Sequence, residues 1–174
     1  NFVDVSQNNH NKGEKHWTNF RYVHDYLAQH PRPMNTTKTY GADGNKFGHT
    51  DQDGIERFWR HLLAGAASMR FHRPDSGLGL NDKAVAAIRA ARKLESKIPL
   101  WSVEADNALV SDREENEVYV AARPGEAYAL YFPARKDGRS KVTLDLPADS
   151  GEMEIHWIDI DTGELGPTSR LRGE

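Results

Sequence analysis

The chain has no cysteine, and that single absence removes disulfides, thiolate metal centres and cysteine nucleophiles together. It leaves the redox compartment open. A second absence is charge of one sign. With 23 basic residues against 26 acidic ones, a formal balance of -3, there is no positive field for a phosphate backbone or an anionic lipid surface. Nucleic acid and membrane are therefore not expected as partners. No apolar run approaches the roughly 20 residues of a bilayer-spanning helix. The opening "NFVDVSQNNH" lacks an initiator methionine and the basic, apolar and small-residue parts of a signal peptide, and it is expected to be a cut end. What is present is a hydrophobic content of 37% in 174 residues, enough to bury the core of one domain or two small ones.

Two periodicities divide the chain. "NFVDVSQ" reads as a strand, and "EKHWTNFRYVHDYLAQH" then sets Trp17, Phe20, Val23 and Leu27 at helical spacing until Pro31 and Pro33 end the run. "RPMNTTKTY" is extended and rich in threonine, and the loop "GADGNKFGHTDQDG" follows it. Ile55, Phe58, Trp59, Leu62 and Leu63 then fall at i, i+3, i+4, i+7 and i+8, a wide apolar face for packing on a sheet. In "GAASMRFHRPDSGLGLN" the alternation puts Met69 and Phe71 on one side of a strand and Ser68, Arg70 and His72 on the other, with Arg73 just before a proline. Asn81 is a good N-cap for a third helix with a small-residue face at Ala84, Ala87, Ile88, Ala91 and Leu94. The order is strand, helix, three times over.

From about Leu100 the pattern becomes "EVYVAA", "AYALYF", "KVTLDL" and "MEIHWI", short strands separated by "RPGE", "PARKDGRS" and "PADSGE". This half is expected to be a small antiparallel β-sandwich. The charged run from Asp112 to Glu117 reads as a solvated loop. "DQDG" and "DIDTGE" lack the spaced oxygen ligands and closing glutamate of a calcium loop and read as turns. His10, His16, His24 and His30 contain no i, i+4 pair, so neither a zinc site nor any other metal or cofactor is expected. Trp17, Trp59 and Trp157 occupy patterned core positions, while Trp101 fits no pattern.

Three strand–helix units in about a hundred residues match the roughly 31 residues per unit of an eight-unit barrel of about 250. A parallel sheet needs both faces covered, and three units cannot close a barrel, so residues 1–98 are expected to be the last three units of a (β/α)8 barrel. Barrel sites lie at strand C-terminal ends. That rule gathers Gln7, Asn8 and His10 from the first strand, Lys38 and Tyr40 from the second, and Arg70, His72 and Arg73 from the third as substrate-binding candidates. An open barrel also exposes edges and an inner surface expected to be apolar. Either a second copy of the chain or the missing N-terminal barrel part is expected to cover them.

The segments "FVDVSQNNH", "RPMNTTKTYG", "GIERFWRHLLAGAASMRFHRP" and "LVSDREENEVYVAARPGEAYALYFP" resemble, in that order, the C-terminal part of the apiosidase-like glycoside hydrolases. The resemblance covers nearly the whole chain, and "YVAARPGEAYALYFP" is its more specific half. It implies barrel units six to eight over 1–98, and over 99–174 an appended β-sandwich, truncated or whole, that carries a collagen-binding label. It further implies a bacterial, secreted or periplasmic protein acting on a polysaccharide or oligosaccharide, with a carbohydrate ligand as partner. Members of that family carry Asp-Gly-Glu-Pro before a tyrosine after the seventh strand, and its glutamate is one of two catalytic carboxylates. Here the run is Asn35-Thr36-Thr37-Lys38-Thr39-Tyr40, with Lys38 in the glutamate's place.

Glycoside hydrolysis ordinarily uses two carboxyl groups across the scissile bond, so the isolated chain is expected to be inactive. Several routes remain open for the whole protein. Asp43, Asp51 or Asp53 from the glycine-rich loop can substitute, with Glu56 less well placed; Lys38, Arg70 and Arg73 can face an anionic sugar; a desolvated Lys38 can itself act as nucleophile or base; or the protein is a non-catalytic binding module.

Overall fold

The computed structural model describes residues 1–7, 11–39, 50–71, 80–135 and 141–172. They form two compact units, Asn1–Val85 and Ala86–Glu174.

The first unit runs β1 (Val3–Asp4), α1 (Glu14–Tyr26), β2 (Met34–Thr39), α2 (Asp51–Leu63) and β3 (Ser68–Phe71), with α3 (Asp82–Lys97) beginning at its end. The strands make a parallel sheet in the order β1-β2-β3. The described residues form no closed barrel; the sheet is open. Its alternation is visible in burial: Met34, Thr36, Thr39 and Phe71 are buried, whereas Asp4, Ser6, Ser68 and Arg70 are exposed and Asn35 and Thr37 half-exposed. Phe71 stacks on Phe58 of α2 at 4.9 Å, which marks the buried side as the helix side.

Helix α2 begins with a reciprocal cap. The Thr50 hydroxyl accepts from Asp53 N–H, and the Asp53 carboxylate accepts from Thr50 N–H at 3.0 Å, which satisfies two N-terminal donors. Its core face carries Ile55, Phe58, Trp59 and Leu63, as the 3.6-residue period requires, but also the buried polar residues Arg57, Arg60 and His61. The helix ends at Gly65, whose φ of +99° suits a residue without Cβ. Asn81 caps α3 by accepting from Ala84 N–H.

The division between the compact units falls inside α3. The reason lies in the second unit. The turn joining β7 (Met153–Asp159) to β8 (Glu164–Leu171) sits on α3, where Lys93 pairs with Glu164 at 3.1 Å and a Cβ at Gly163 would lie 3.0 Å from the Ala86 carbonyl oxygen. The other sheet is antiparallel, β4 (Glu104–Ala105), β5 (Tyr119–Arg123) and β6 (Ala127–Tyr131), in the order β4-β5-β6. Val110, Val118, Val120 and Ala122 form its core with Leu109, Tyr128, Leu130 and Phe132 around them.

Several sequence expectations change here. "KVTLDL" forms no strand among the described residues; it contributes one isolated bridge, Val110 to Leu144, because Asp112 holds Thr143 through both its N–H (2.7 Å) and its hydroxyl (3.0 Å). Strand β8 was not expected, since "DIDTGE" reads only as a turn. It is a turn: the Asp159 carboxylate accepts from Asp161 and Thr162 N–H, and Gly163 closes it at φ +74°. The run 112–117 is less solvated than its charge suggests, because Glu117 is buried and pairs with Arg135. Trp157 is not core; it is 54% exposed on the hairpin. Trp101 is exposed as well.

Candidate functional site

The uncovered face of the parallel sheet carries a connected set of polar side chains. The Thr37 hydroxyl donates to Asp4 Oδ2 at 2.7 Å and lies 3.4 Å from the Ser6 hydroxyl. Ser68 donates to Asn35 Oδ1 at 2.8 Å, and Arg70 Nε donates to the Thr37 carbonyl at 3.3 Å. Each contact crosses from one strand to the next. Among the described residues of this face only Phe2, exposed at its margin, offers a large apolar surface. The expected apolar inner surface is therefore replaced by a polar one, since the positions that alternate away from the helices are Asp4, Ser6, Asn35, Thr37, Ser68 and Arg70.

The register of β2 against β3 slips on this face. Thr36 pairs with Met69 and Thr39 with Phe71, so three steps along β2 match two along β3. Such a bulge lets two consecutive side chains escape the buried face. Thr37 and Lys38 are those two: Thr36 and Thr39 are buried on either side, while Lys38 is exposed. Arg70 is the residue on β3 opposite the slip. Lys38 and Arg70 thus lie on adjacent strands at the same level, and neither meets a carboxylate among the described residues.

Gln7 does not join them. Along β1 it alternates with Val3 and Val5, away from Asp4 and Ser6, and its amide enters the space between α1 and α2. Its Oε1 accepts from Asn11 and Asn19, each at 3.3 Å, which fixes the amide's orientation. Its Nε2 donates to the His16 carbonyl at 2.6 Å and to His61 Nε2 at 3.0 Å. His61 must then be the tautomer with hydrogen on Nδ1. His16 and His61 are 2% and 1% exposed, stack at 4.0 Å, and each has an Nδ1 with no hydrogen-bond partner among the described residues. Burial, reinforced by Arg57 and Arg60, pushes His61 down to about 3. Burial and then the neighbouring His61 depress His16 further still. Both rings are neutral and closed to solvent, so they order the helix layer and cannot exchange protons with a ligand on the open face. No single-residue pattern in the sequence marks this pair, because α1 and α2 bring together rings from distant positions.

The described substitute carboxylates are also committed elsewhere. Asp53 caps α2 and pairs with Lys12 at 3.2 Å. Burial raises its pKa, but the bonds from Thr50 and Lys12 outweigh that and hold it below the usual carboxylate range. That is opposite to the shift a general acid needs. Asp51 accepts from Asn81 at 3.0 Å, and Glu56 accepts from Gln52 and Arg60. Asn8, His10, Tyr40, Asp43, His72 and Arg73 lie outside the described residues. No group of three or more metal-ligating side chains occurs among the described residues, and no described helix is long and apolar enough to cross a membrane.

Comparison with protein-family models, with curated proteins and with solved structures gives no match.

Proposed function

We propose that the chain is part of a carbohydrate-active, glycoside hydrolase-like protein, and that the polar face of β1–β3 is the floor of its saccharide site. The observation that carries this reading is the uncovered parallel sheet itself. A parallel sheet ordinarily buries both faces in apolar residues. This one packs its helix side with Met34, Phe71 and Phe58, yet it offers hydroxyl, amide, carboxylate and guanidinium groups on the other. Inward-facing polar side chains near strand C-terminal ends are what a (β/α)8 barrel presents to its substrate. The resemblance of "RPMNTTKTYG" and "SMRFHRP" to apiosidase-like hydrolases points the same way, with the remaining barrel units supplied by another part of the protein.

A non-catalytic module, binding carbohydrate or protein, is the second reading. It is favoured by the described acids: Asp51, Asp53 and Glu56 are held in structural hydrogen bonds, and Asp4 alone stands on the open face.

Affinity electrophoresis through gels cast with different polysaccharides tests the carbohydrate reading. Retardation of the chain by at least one polysaccharide, released in Asn35→Ala and Thr37→Ala variants that remain folded, is expected. Unretarded migration through every polysaccharide tried would remove the basis for it.

A further inference from the structure

Lys38 and Arg70 pose an electrostatic problem that the described fold does not solve. Like charges on facing positions of neighbouring strands destabilise a sheet. The bulge in β2 nevertheless exposes Lys38 in the same interval of the register as Arg70. Several other cations are paired with carboxylates: Lys12 with Asp53, Arg21 with Asp25, Lys93 with Glu164, Arg123 with Glu126. The one carboxylate on the open face among the described residues, Asp4, is engaged by the Thr37 hydroxyl. Arg70 donates from Nε to the Thr37 carbonyl, and its two terminal nitrogens meet no acceptor among the described residues. A guanidinium so anchored presents two parallel donors, the geometry that matches a carboxylate or sulfate edge, and a lysine beside it adds a point charge.

Resting on the carbohydrate reading above, we propose that Lys38 and Arg70 form the recognition site for an anionic group on the saccharide, a ring carboxylate or a sulfate. The surrounding Asn35, Thr37 and Ser68 supply neutral donors and acceptors for ring hydroxyls, so the two cations distinguish an acidic sugar from a neutral one. The function of the bulge is then to place a second charge where regular pairing would turn the residue toward the helices. Substituting lysine for the glutamate of the resembled family exchanges a group that would repel such a ligand for one that attracts it.

Calorimetric titration of the 174-residue chain with three probes tests this: oligogalacturonates, sulfated galactan oligosaccharides, and neutral galactan oligosaccharides. One anionic series is expected to bind and the neutral series to bind at least about tenfold more weakly, with affinity falling as salt is raised. Which anionic series binds identifies the group as carboxylate or sulfate. Lys38→Gln and Arg70→Gln should each weaken that binding about tenfold, while Arg92→Gln, an exposed ion-paired cation on α3, should not. Equal affinity for neutral and anionic probes, unchanged in both variants, would overturn the anion site and leave the carbohydrate reading standing. Anionic binding that survives both variants, or that falls equally in Arg92→Gln, would overturn it as non-specific charge attraction. Failure to bind any of the three would overturn the site and count against the reading beneath it.

Discussion

His16 and His61 stack with ring centroids 4.0 Å apart and planes 17° from parallel, and Gln7 bonds to the backbone of one and the ring of the other. Their burial makes stability depend on pH. Above pH about 6.5 both imidazoles are neutral in the folded and the unfolded chain, so their contribution is fully present. As the pH falls below that value the unfolded chain takes up protons that the folded one refuses, and for His61 the loss continues to a pH of about 3. Each histidine then costs about 1.4 kcal/mol per pH unit. Urea midpoints measured from pH about 7.5 to 5 should fall steadily through this window. His61→Phe should be less stable at neutral pH but lose about half of the slope. A slope unchanged in that variant would mean that other groups take up the protons.

Two glycines with similar backbone conformations should respond differently to alanine. Gly125 has φ +81° and nothing within 4 Å of an added Cβ, so Gly125→Ala carries only the left-handed strain of about 1 kcal/mol. Gly163 has φ +74°, but its Cβ would lie 2.9 Å from Arg89 Cβ and 3.0 Å from the Ala86 carbonyl oxygen. Gly163→Ala should therefore lose about 2–3 kcal/mol and loosen the β7–β8 hairpin, seen as a change in Trp157 fluorescence. Equal losses at the two positions would show that the turn does not sit on α3.

The cap of α2 gives a third expectation. Thr50→Ala removes the side-chain acceptor for Asp53 N–H and should cost about 1 kcal/mol. Asp53→Asn loses the charge that draws in Lys12 while keeping an acceptor, and it should cost less. If chemical denaturation finds Asp53→Asn neutral for stability but damaging to saccharide binding, Asp53 belongs to the ligand and not to the helix.

Catalysis by the isolated chain is not expected. Hydrolysis needs two carboxyl groups about 5–10 Å apart across the bond, and the open face offers Asp4 alone among the described residues. Assays of the purified chain on a panel of aryl glycosides should give no turnover above an Asp4→Asn control. Turnover abolished by that substitution would require a second acid from the chain itself.

Local periodicity made much of the chain legible. The spacing of Ile55, Phe58, Trp59 and Leu63 located α2 and its buried face, and the alternation of Met69 and Phe71 with Ser68 and Arg70 located β3 and oriented it. What periodicity could not reach were features that depend on a partner strand or helix. The bulge at Thr37 and Lys38 is a relation between β2 and β3, not a property of "NTTKT". Gln7 stands at the end of a strand, but its destination is set by Asn11, Asn19 and His61, which only the packing of α1 on α2 brings near. Trp157 fits a core pattern, yet among the described residues its strand pairs only with β8, in a two-stranded hairpin that leaves the ring half-exposed. "KVTLDL" has strand composition, but hydrogen bonds to Asp112 hold its backbone at one point of pairing.

The slip between Thr36 and Thr39 also makes this surface editable by chain length. Removing Lys38 would leave Thr36 and Thr39 two positions apart, the spacing at which both can face the helices in an unbroken ladder. The fold would thus have a frame-restoring deletion available at the point where its open face acquires a second positive charge. A substitution there changes one group, whereas a single-codon deletion would erase the charge and straighten the strand together. In lineages that keep this sheet, gain or loss of that residue would switch the chemistry of the face without asking the core to repack.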